Sequence, residues 1–170
     1  RYFDRYYIIT VDGSDNTPKI MKNLSEIGIP IKKVTILTEP RVGKDNYLMK
    51  GCAKVCKRLT ERHLEIIENA IKDNHTRIVI LEDDAMFEKL DQKIIKNAYG
   101  WLKSNKWDIF YFGHYTKAIL IPEGDNVVKA DRSYLAHSYA INLQNENLLN
   151  DLKEQMEYCT DLGPRATHEN

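Results

Sequence analysis

Five apolar runs stand out along the chain, and polar residues follow most of them. The runs are rich in β-branched and aromatic residues, which is typical of buried β-strands. The predicted strands are Tyr6–Val11, Val34–Thr38, Arg77–Leu81, Asp108–Phe112 and Tyr139–Ile141. A small hairpin is also predicted, with strands at 118–122 and 126–130 around the turn Glu123-Gly124-Asp125.

Between the strands, apolar residues recur every three or four positions, which predicts amphipathic helices. Thr17 and Asp91 are expected to cap two of them, with Pro18 at the first position of the earlier helix and Gly28 at its end. The longest helix is predicted from Gly51 to about Asp73 and the last from Glu146 to about Tyr158. The inward residues are predicted to be Cys52, Cys56, Leu59, His63, Ile66 or Ile67, and Ala70 in the longest helix, and Ile94, Ile95, Ala98 and Leu102 in the next.

The alternation of strands and helices over the first two-thirds of the chain predicts an α/β fold. In such a fold a mostly parallel sheet carries helices on both faces. The 170 residues are enough for one domain with a proper core. Because open parallel sheets bind ligands beyond the carboxyl ends of their strands, the loops after Val11, Thr38, Leu81 and Phe112 are the expected site.

Composition narrows the classes of partner. The 25 basic and 25 acidic side chains cancel, so no overall charge favours nucleic acid or an anionic membrane. No apolar stretch reaches the ~20 residues of a membrane span. The three cysteines are sparse and odd in number, which is typical of a reducing compartment. Cys52 and Cys56 are expected to pack as small apolar groups rather than to form a disulfide.

Three consecutive carboxylates, Glu82-Asp83-Asp84, directly follow the third apolar run. Like charges at the end of a buried sheet repel one another, and a bound divalent cation removes that cost. Hard oxygen ligands suit Mg²⁺ or Mn²⁺. Because side chains alternate along an extended chain, Asp84 is expected to touch the metal, Glu82 to help directly or through water, and Asp83 to point the other way. The alternative is a solvated acidic turn that caps the following segment.

The string Ile80–Ala85 is one of several segments that match a known pattern in order and spacing. The others are the first strand with its Asp12, Gly28–Pro30, His63, Trp107–Gly113 and His137–Asn142. Together they resemble glycosyltransferase family 25, the lipooligosaccharide and procollagen galactosyltransferases. Two places depart from the family pattern: Gly13–Asn16 replaces an arginine-rich loop, and Arg62 replaces a serine before the histidine.

This resemblance implies a GT-A fold across residues 1–170, as a single glycosyltransferase domain with a Rossmann-like sheet and a small antiparallel addition. It implies a nucleotide-diphosphate sugar donor, most often a UDP-sugar, and Mn²⁺ or Mg²⁺ as the cofactor. The acceptor would be a hydroxyl group of a glycan or glycoprotein, and the reaction would invert the anomeric centre. Short family members of this kind imply a cytoplasmic setting in bacteria or in virus-infected cells.

Expected roles for individual residues follow from the triplet and from the resemblance. The metal is expected to contact Asp84, Glu82 and His168, and Asp161 is the expected general base. The donor is expected to contact Thr10, Val11, Asp12, Lys50, Arg58, Arg62 and Asp83, and the acceptor His114 and Tyr115. Asp83 would face either a sugar or a backbone amide. For the two arginines a solvated helix face is an equally good alternative, and a histidine such as His63 is more often a satisfied core residue than a ligand.

Other classes of protein fit less well. A phosphorelay receiver domain would need an acidic pair after its first strand, where only Asp12 stands. A sugar-nucleotide pyrophosphorylase would need a glycine-rich loop near the start, where Gly13 stands alone. A non-catalytic, metal-dependent carbohydrate-binding module stays open as an alternative, because an intact acidic triplet indicates metal capacity and not turnover.

Overall fold

The computed structural model describes residues 2–41, 52–85, 91–113, 119–130 and 137–161, with the backbone alone over 52–56 and 155–161. The strands are β1 (Arg5–Val11), β2 (Val34–Glu39), β3 (Arg77–Glu82), β4 (Ile109–Tyr111), β5 (Leu120–Gly124), β6 (Val127–Ala130) and β7 (Ser138–Asn142). The helices are α1 (Thr17–Glu26), α2 (Cys52–Lys72), α3 (Gln92–Ser104) and α4 (Leu148–Asp161), and a short 3-10 helix covers Ile31–Lys33. Each described strand and α-helix lies where the sequence predicts it, apart from small shifts at its ends, whereas the short 3-10 helix was not predicted.

Five strands form the main sheet, in the order β2-β1-β3-β7-β4. Strand β1 pairs in parallel with β2 and with β3, whereas β7 lies antiparallel between β3 and β4. Four of the five strands therefore point the same way. Strands β5 and β6 form a separate antiparallel hairpin. The predicted α/β architecture, with a mostly parallel sheet and a small antiparallel addition, is confirmed.

Two apolar clusters occupy the two faces of this sheet. On one face, Ile8 of β1 and Leu81 of β3 pack with Leu24 of α1 and Leu102 of α3. On the other face, alternate residues of the same strands pack against α2 and α4, with Ile80 among the fully buried side chains. Burial on both faces explains why the strands appear in the sequence as continuous apolar runs rather than as alternating ones.

The helix ends agree with the prediction at two positions and differ at a third. Asp91 caps α3 by accepting hydrogen bonds from the amides of Lys93 and Ile94. Gly28 follows α1 in the left-handed conformation, with φ of +79°. The predicted cap at Thr17 is wrong, because the N-cap is Asn16 and Pro18 is the second helical residue. The hydroxyl of Thr17 instead lies 2.7 Å from that of Thr10.

The inward face of α3 is also only partly as predicted. Leu102 is buried, but 46% of Ile94 is exposed. A cavity of about 540 Å³ separates the start of α3 from α1 and the sheet, and Ile94 lies on its wall. The apolar residues at the start of this helix therefore line the cavity, and only those near its end, such as Leu102, pack in the core.

The expectation about membrane spans can be compared with the described helices. None of those helices has both the length and the apolar character that a bilayer-crossing segment needs. The side chains of Cys52, Cys56 and Cys159 are not among those that the structure describes, so their predicted packing stays a prediction. In the remainder of α2 the predicted inward face is confirmed, because His63, Ile66, Ile67 and Ala70 are all buried.

Asp4 ties the start of β1 to the start of β3. One oxygen of its carboxylate accepts hydrogen bonds from the amide of Thr76 at 2.7 Å, from the Thr76 hydroxyl at 2.9 Å and from the amide of Arg77 at 3.0 Å. Burial alone raises the pKa of Asp4, but these hydrogen bonds outweigh it and hold the pKa below its ordinary value. Asp4 therefore stabilises the fold in its charged form.

We expect Asp4→Ala to lower the free energy of unfolding by about 1.5–3 kcal/mol at pH 7, because hydrogen bonds to a charged acceptor are lost. A carboxyl group whose pKa is lowered by folding stabilises the protein above its unfolded pKa and loses that effect as pH falls through the folded value. The difference between wild type and Asp4→Ala should thus shrink below pH ~4. Urea denaturation at several pH values measures it, with the exposed Asp125→Ala as control. A difference that is independent of pH would contradict this explanation.

Candidate functional site

The carboxyl ends of β1, β2 and β3 meet at one edge of the sheet. Val11 is paired with Glu39 across the β1–β2 ladder, and Ile9 with Glu82 across the β1–β3 ladder. The chain leaves β3 at this edge through Asp83 and Asp84, so the acidic triplet lies where the sequence predicts it. The strand that neighbours β3 on its other side runs the opposite way, and its start therefore lies at the same edge.

That neighbouring strand brings His137 to the acidic triplet. His137 directly precedes β7, and its carbonyl accepts a hydrogen bond of 2.7 Å from the amide of Glu82. Its ring nitrogen Nδ1 lies 2.9 Å from Oδ1 of Asp84 and 3.3 Å from Oε2 of Glu82. One potential ligand atom from each of the three residues lies within 4.8 Å of the other two. Among the described residues, Glu82, Asp84 and His137 thus form a group that could hold a metal ion.

The geometry agrees with the predicted alternation of the triplet. Asp83 points away from the group, and its Oδ2 accepts hydrogen bonds from the Thr10 hydroxyl at 3.0 Å and from the Val11 amide at 3.3 Å. Asp83 was expected to face either a sugar or a backbone amide. In the structure it accepts a hydrogen bond from the backbone amide of Val11. Thr10 and Val11, which were expected to contact a donor, are thereby linked to the triplet.

His63 approaches the same group from α2, beneath the sheet edge. It is buried, as the core-histidine alternative predicts, with 9% of the residue exposed. Its Nδ1 lies 2.8 Å from the hydroxyl of Tyr139, and its Nε2 lies 3.3 Å from Oε1 of Glu82. The rings of His63 and Tyr139 stack, 5.6 Å apart between centroids and 15° from parallel. Burial raises the pKa of Tyr139 well above its ordinary value, so its hydroxyl keeps its proton.

Arg58 and Arg62 both bind Glu39 at the end of β2. Arg58 Nε lies 2.7 Å from Oε2 of Glu39, and Arg62 Nε donates to the other oxygen. Burial by itself raises the pKa of Glu39, but the hydrogen bonds from the two guanidinium groups outweigh it and lower the pKa below its ordinary value. The two arginines are thus held at the expected edge by a buried carboxylate. Contact with a pyrophosphate would require their remaining N–H groups.

The loop after β1 is held to β2 through its backbone. The amide of Asp12 donates to the carbonyl of Glu39 at 2.8 Å, and Arg41 donates to the carbonyls of Asp12 and Gly13. Gly13 has φ of +68°, which a side chain would strain. The side chain of Asp12 is left exposed at the edge of the sheet.

The remaining predicted site residues lie where the structure describes no side chains. Asp161 is the last residue of α4, of which only the backbone is described at that point. Lys50, His114, Tyr115 and His168 lie outside the described residues. Their expected roles stay predictions.

One site residue that sequence reasoning missed is His137. The sequence pattern marks it only as part of a late strand and indicates no role for it. One available signal was its position just before that strand. This strand is antiparallel to β3, so the residue before its start lies beside the residues after the end of β3. Recognition of that orientation from the sequence would have pointed to His137.

Comparison with known proteins adds little to this geometry. No family model matches the sequence, and no curated protein sequence matches it. The structure is similar to a solved structure described as a glycosyltransferase involved in the glycosylation of the major capsid of PBCV-1. The match has 14% sequence identity and a TM-score of 0.42, and it covers 96% of this chain and 68% of that one. A likeness at this level does not establish a shared function, so the function proposed below rests on the residues of the site and on the sequence resemblance.

Proposed function

We propose that this protein is a metal-dependent glycosyltransferase of the GT-A type, similar to glycosyltransferase family 25. It would move a sugar from a nucleotide-diphosphate donor, most fittingly a UDP-sugar, to a hydroxyl of a glycan or glycoprotein. The observation that carries the proposal is the convergence of Glu82, Asp84 and His137 at the carboxyl edge of a mostly parallel sheet. Open sheets of this kind bind their ligands at that edge.

The donor set fits a divalent cation. Two carboxylates and one imidazole offer oxygen and nitrogen ligands, a mixture that favours Mn²⁺ over Mg²⁺, whose usual sites are all-oxygen. Bound Mn²⁺ would offset the negative charge that develops on the departing nucleoside diphosphate. In the metal-free protein Nδ1 of His137 is hydrogen-bonded to Oδ1 of Asp84 at 2.9 Å, and a metal bound through Nδ1 would replace that hydrogen bond. His137 supplies a nitrogen ligand from the described part of the chain, and His168 stays a predicted further one.

The surrounding residues support an oriented donor. Asp83 fixes the exits of β1 and β3 relative to each other through Thr10 and Val11. The exposed Asp12 lies beside them, in a position to accept a hydrogen bond from a donor hydroxyl. For the acceptor hydroxyl we retain Asp161 as the general base and His114 and Tyr115 as contacts. These three roles rest on the family resemblance alone.

Calorimetry with a panel of nucleotide sugars, with and without Mn²⁺, tests the proposal. We expect wild type to bind one UDP-sugar only when Mn²⁺ is present and to hydrolyse it slowly, with UDP release as the readout. We expect Asp84→Ala to lose both properties, because it removes one of the three ligands, while its circular dichroism spectrum is unchanged. The exposed Asp125→Ala serves as the control and should behave as wild type. Nucleotide-sugar binding that is independent of metal and unaltered in Asp84→Ala would contradict the proposal.

A non-catalytic, metal-dependent carbohydrate-binding or nucleotide-sugar-binding domain is the second candidate. The structural observation that favours it is the same metal group, which provides binding without turnover. The two candidates differ in one result. Binding that depends on Mn²⁺, without UDP release over many hours and with any acceptor glycan, would favour the binding domain.

A further inference from the structure

We infer that His63 is a positioning residue, which fixes the carboxylate of Glu82 for metal binding and is itself oriented by Tyr139. The inference rests on the proposed function, because it requires Glu82 to be a metal ligand. His63 of α2 and Tyr139 of β7 are two buried polar residues that do not belong to the group of possible metal ligands. Neither residue would touch the metal or the donor.

Burial of His63 and Tyr139 carries a cost that hydrogen-bond partners must offset. The two residues are 9% and 7% exposed, and they lie in the interior between α2 and the sheet. An imidazole and a phenol in such a place are costly unless each polar atom has a partner. Both ring nitrogens of His63 have one, Tyr139 on one side and Glu82 on the other. The pair therefore forms a continuous polar path from the core to the acidic group.

The partners of the two ring nitrogens define the tautomer of His63, since Nδ1 is hydrogen-bonded to the Tyr139 hydroxyl at 2.8 Å and Nε2 faces Oε1 of Glu82 at 3.3 Å. A carboxylate can only accept, so the Nε2 atom that faces Glu82 must carry the proton. In the neutral ring Nδ1 then has a lone pair, and the Tyr139 hydroxyl must donate to it. Tyr139 thus selects the tautomer of His63 that can donate toward Glu82. A ring with the other tautomer would place two lone pairs against each other at Glu82.

The carboxylate of Glu82 is held from both sides. Its Oε1 lies near His63 and its Oε2 near His137. A cation bound by Glu82, Asp84 and His137 would engage the Oε2 side and leave the contact with His63 intact. His63 would then keep the carboxylate in the rotamer that binds the metal. Hydrogen-bond partners of metal ligands commonly act in this way, and their loss costs about 10–100-fold in metal affinity.

A pair of His63 variants tests this role. His63→Phe keeps the ring that stacks on Tyr139 but removes the donor, whereas His63→Gln restores an N–H group near the position of Nε2. We expect Mn²⁺ affinity, measured by electron paramagnetic resonance of free Mn²⁺ without any nucleotide, to fall about 10–100-fold in His63→Phe. We expect His63→Gln to stay within about threefold of wild type. Equal affinity in wild type and both variants, or equal loss in both variants, would overturn the inference.

Tyr139→Phe keeps the test valid if His63→Phe does not fold. It removes only the hydroxyl, and long-range ¹H–¹⁵N spectra of the His63 ring report the tautomer directly. We expect a single Nε2–H tautomer in wild type and a mixture in Tyr139→Phe, with weaker Mn²⁺ binding. An Nδ1–H tautomer in wild type would overturn the inference with the metal site intact. Wild type that binds no Mn²⁺ at all would instead overturn the proposed metal centre, and this inference with it.

Discussion

Glu82→Gln is expected to weaken Mn²⁺ binding by at least about 100-fold, since loss of a residue that merely supports a ligand already costs about 10–100-fold. Glutamine has the shape of glutamate and can still accept a hydrogen bond from His63, but it lacks the charge that a divalent cation requires. Isothermal titration with Mn²⁺ measures the change. Nucleotide-sugar binding should fall with it, because the metal links the donor phosphates to the protein.

The same variant should leave the metal-free protein nearly as stable as wild type. Glu82 and Asp84 carry like charges near His137, so removal of one charge offsets the weaker hydrogen bond. We expect the free energy of unfolding without metal to change by less than about 1 kcal/mol. Glu123→Gln, the same change at an exposed position of the hairpin, is the matched control for metal binding. A large loss of stability without metal, and unchanged Mn²⁺ binding, would make Glu82 a structural residue.

Much of the fold could be predicted from the sequence because the central strands β1, β3 and β7 are buried on both faces. A run such as Tyr6–Val11 has no other stable place than the centre of a sheet covered by helices. The position of β7 could not be predicted in the same way. Its insertion between β3 and β4 depends on pairing between Ile78 and Ile141, which are far apart in the sequence. No local pattern encodes that partner.

The site residues show the same difference between what local sequence predicts and what long-range strand pairing decides. Glu82 and Asp84 were predicted because local alternation after a buried strand decides which way they point. His137 was missed because only the antiparallel placement of β7 brings it to them. The Glu39 carboxylate that holds Arg58 and Arg62 was not recognised either, since its burial at the end of β2 is a property of the assembled sheet edge. Contacts made across the sheet therefore complete a site of which local sequence reveals only the centre.

Asp83→Ala is expected to lower the free energy of unfolding by about 1.5–3 kcal/mol, because its charged carboxylate accepts from Thr10 and Val11. Thr10→Val removes one of these donors and should cost about 1 kcal/mol. If the two residues act through their shared hydrogen bond, the double variant should cost at least about 0.5 kcal/mol less than the sum of the two. Chemical denaturation of the four proteins measures this coupling.

Thr17→Val is the matched control for this cycle. The single proton of the Thr10 hydroxyl goes to Asp83, so Thr17 donates to Thr10, and its loss removes that bond while the one to Asp83 stays. Thr17→Val should therefore be nearly additive with Asp83→Ala. Coupling between Asp83 and Thr10, together with weaker donor binding in Asp83→Ala, would mean that Asp83 serves the donor by fixing the two strand exits. If Asp83→Ala keeps full stability and loses only donor affinity, Asp83 contacts the sugar directly, and the hydrogen bonds to β1 do not matter for folding.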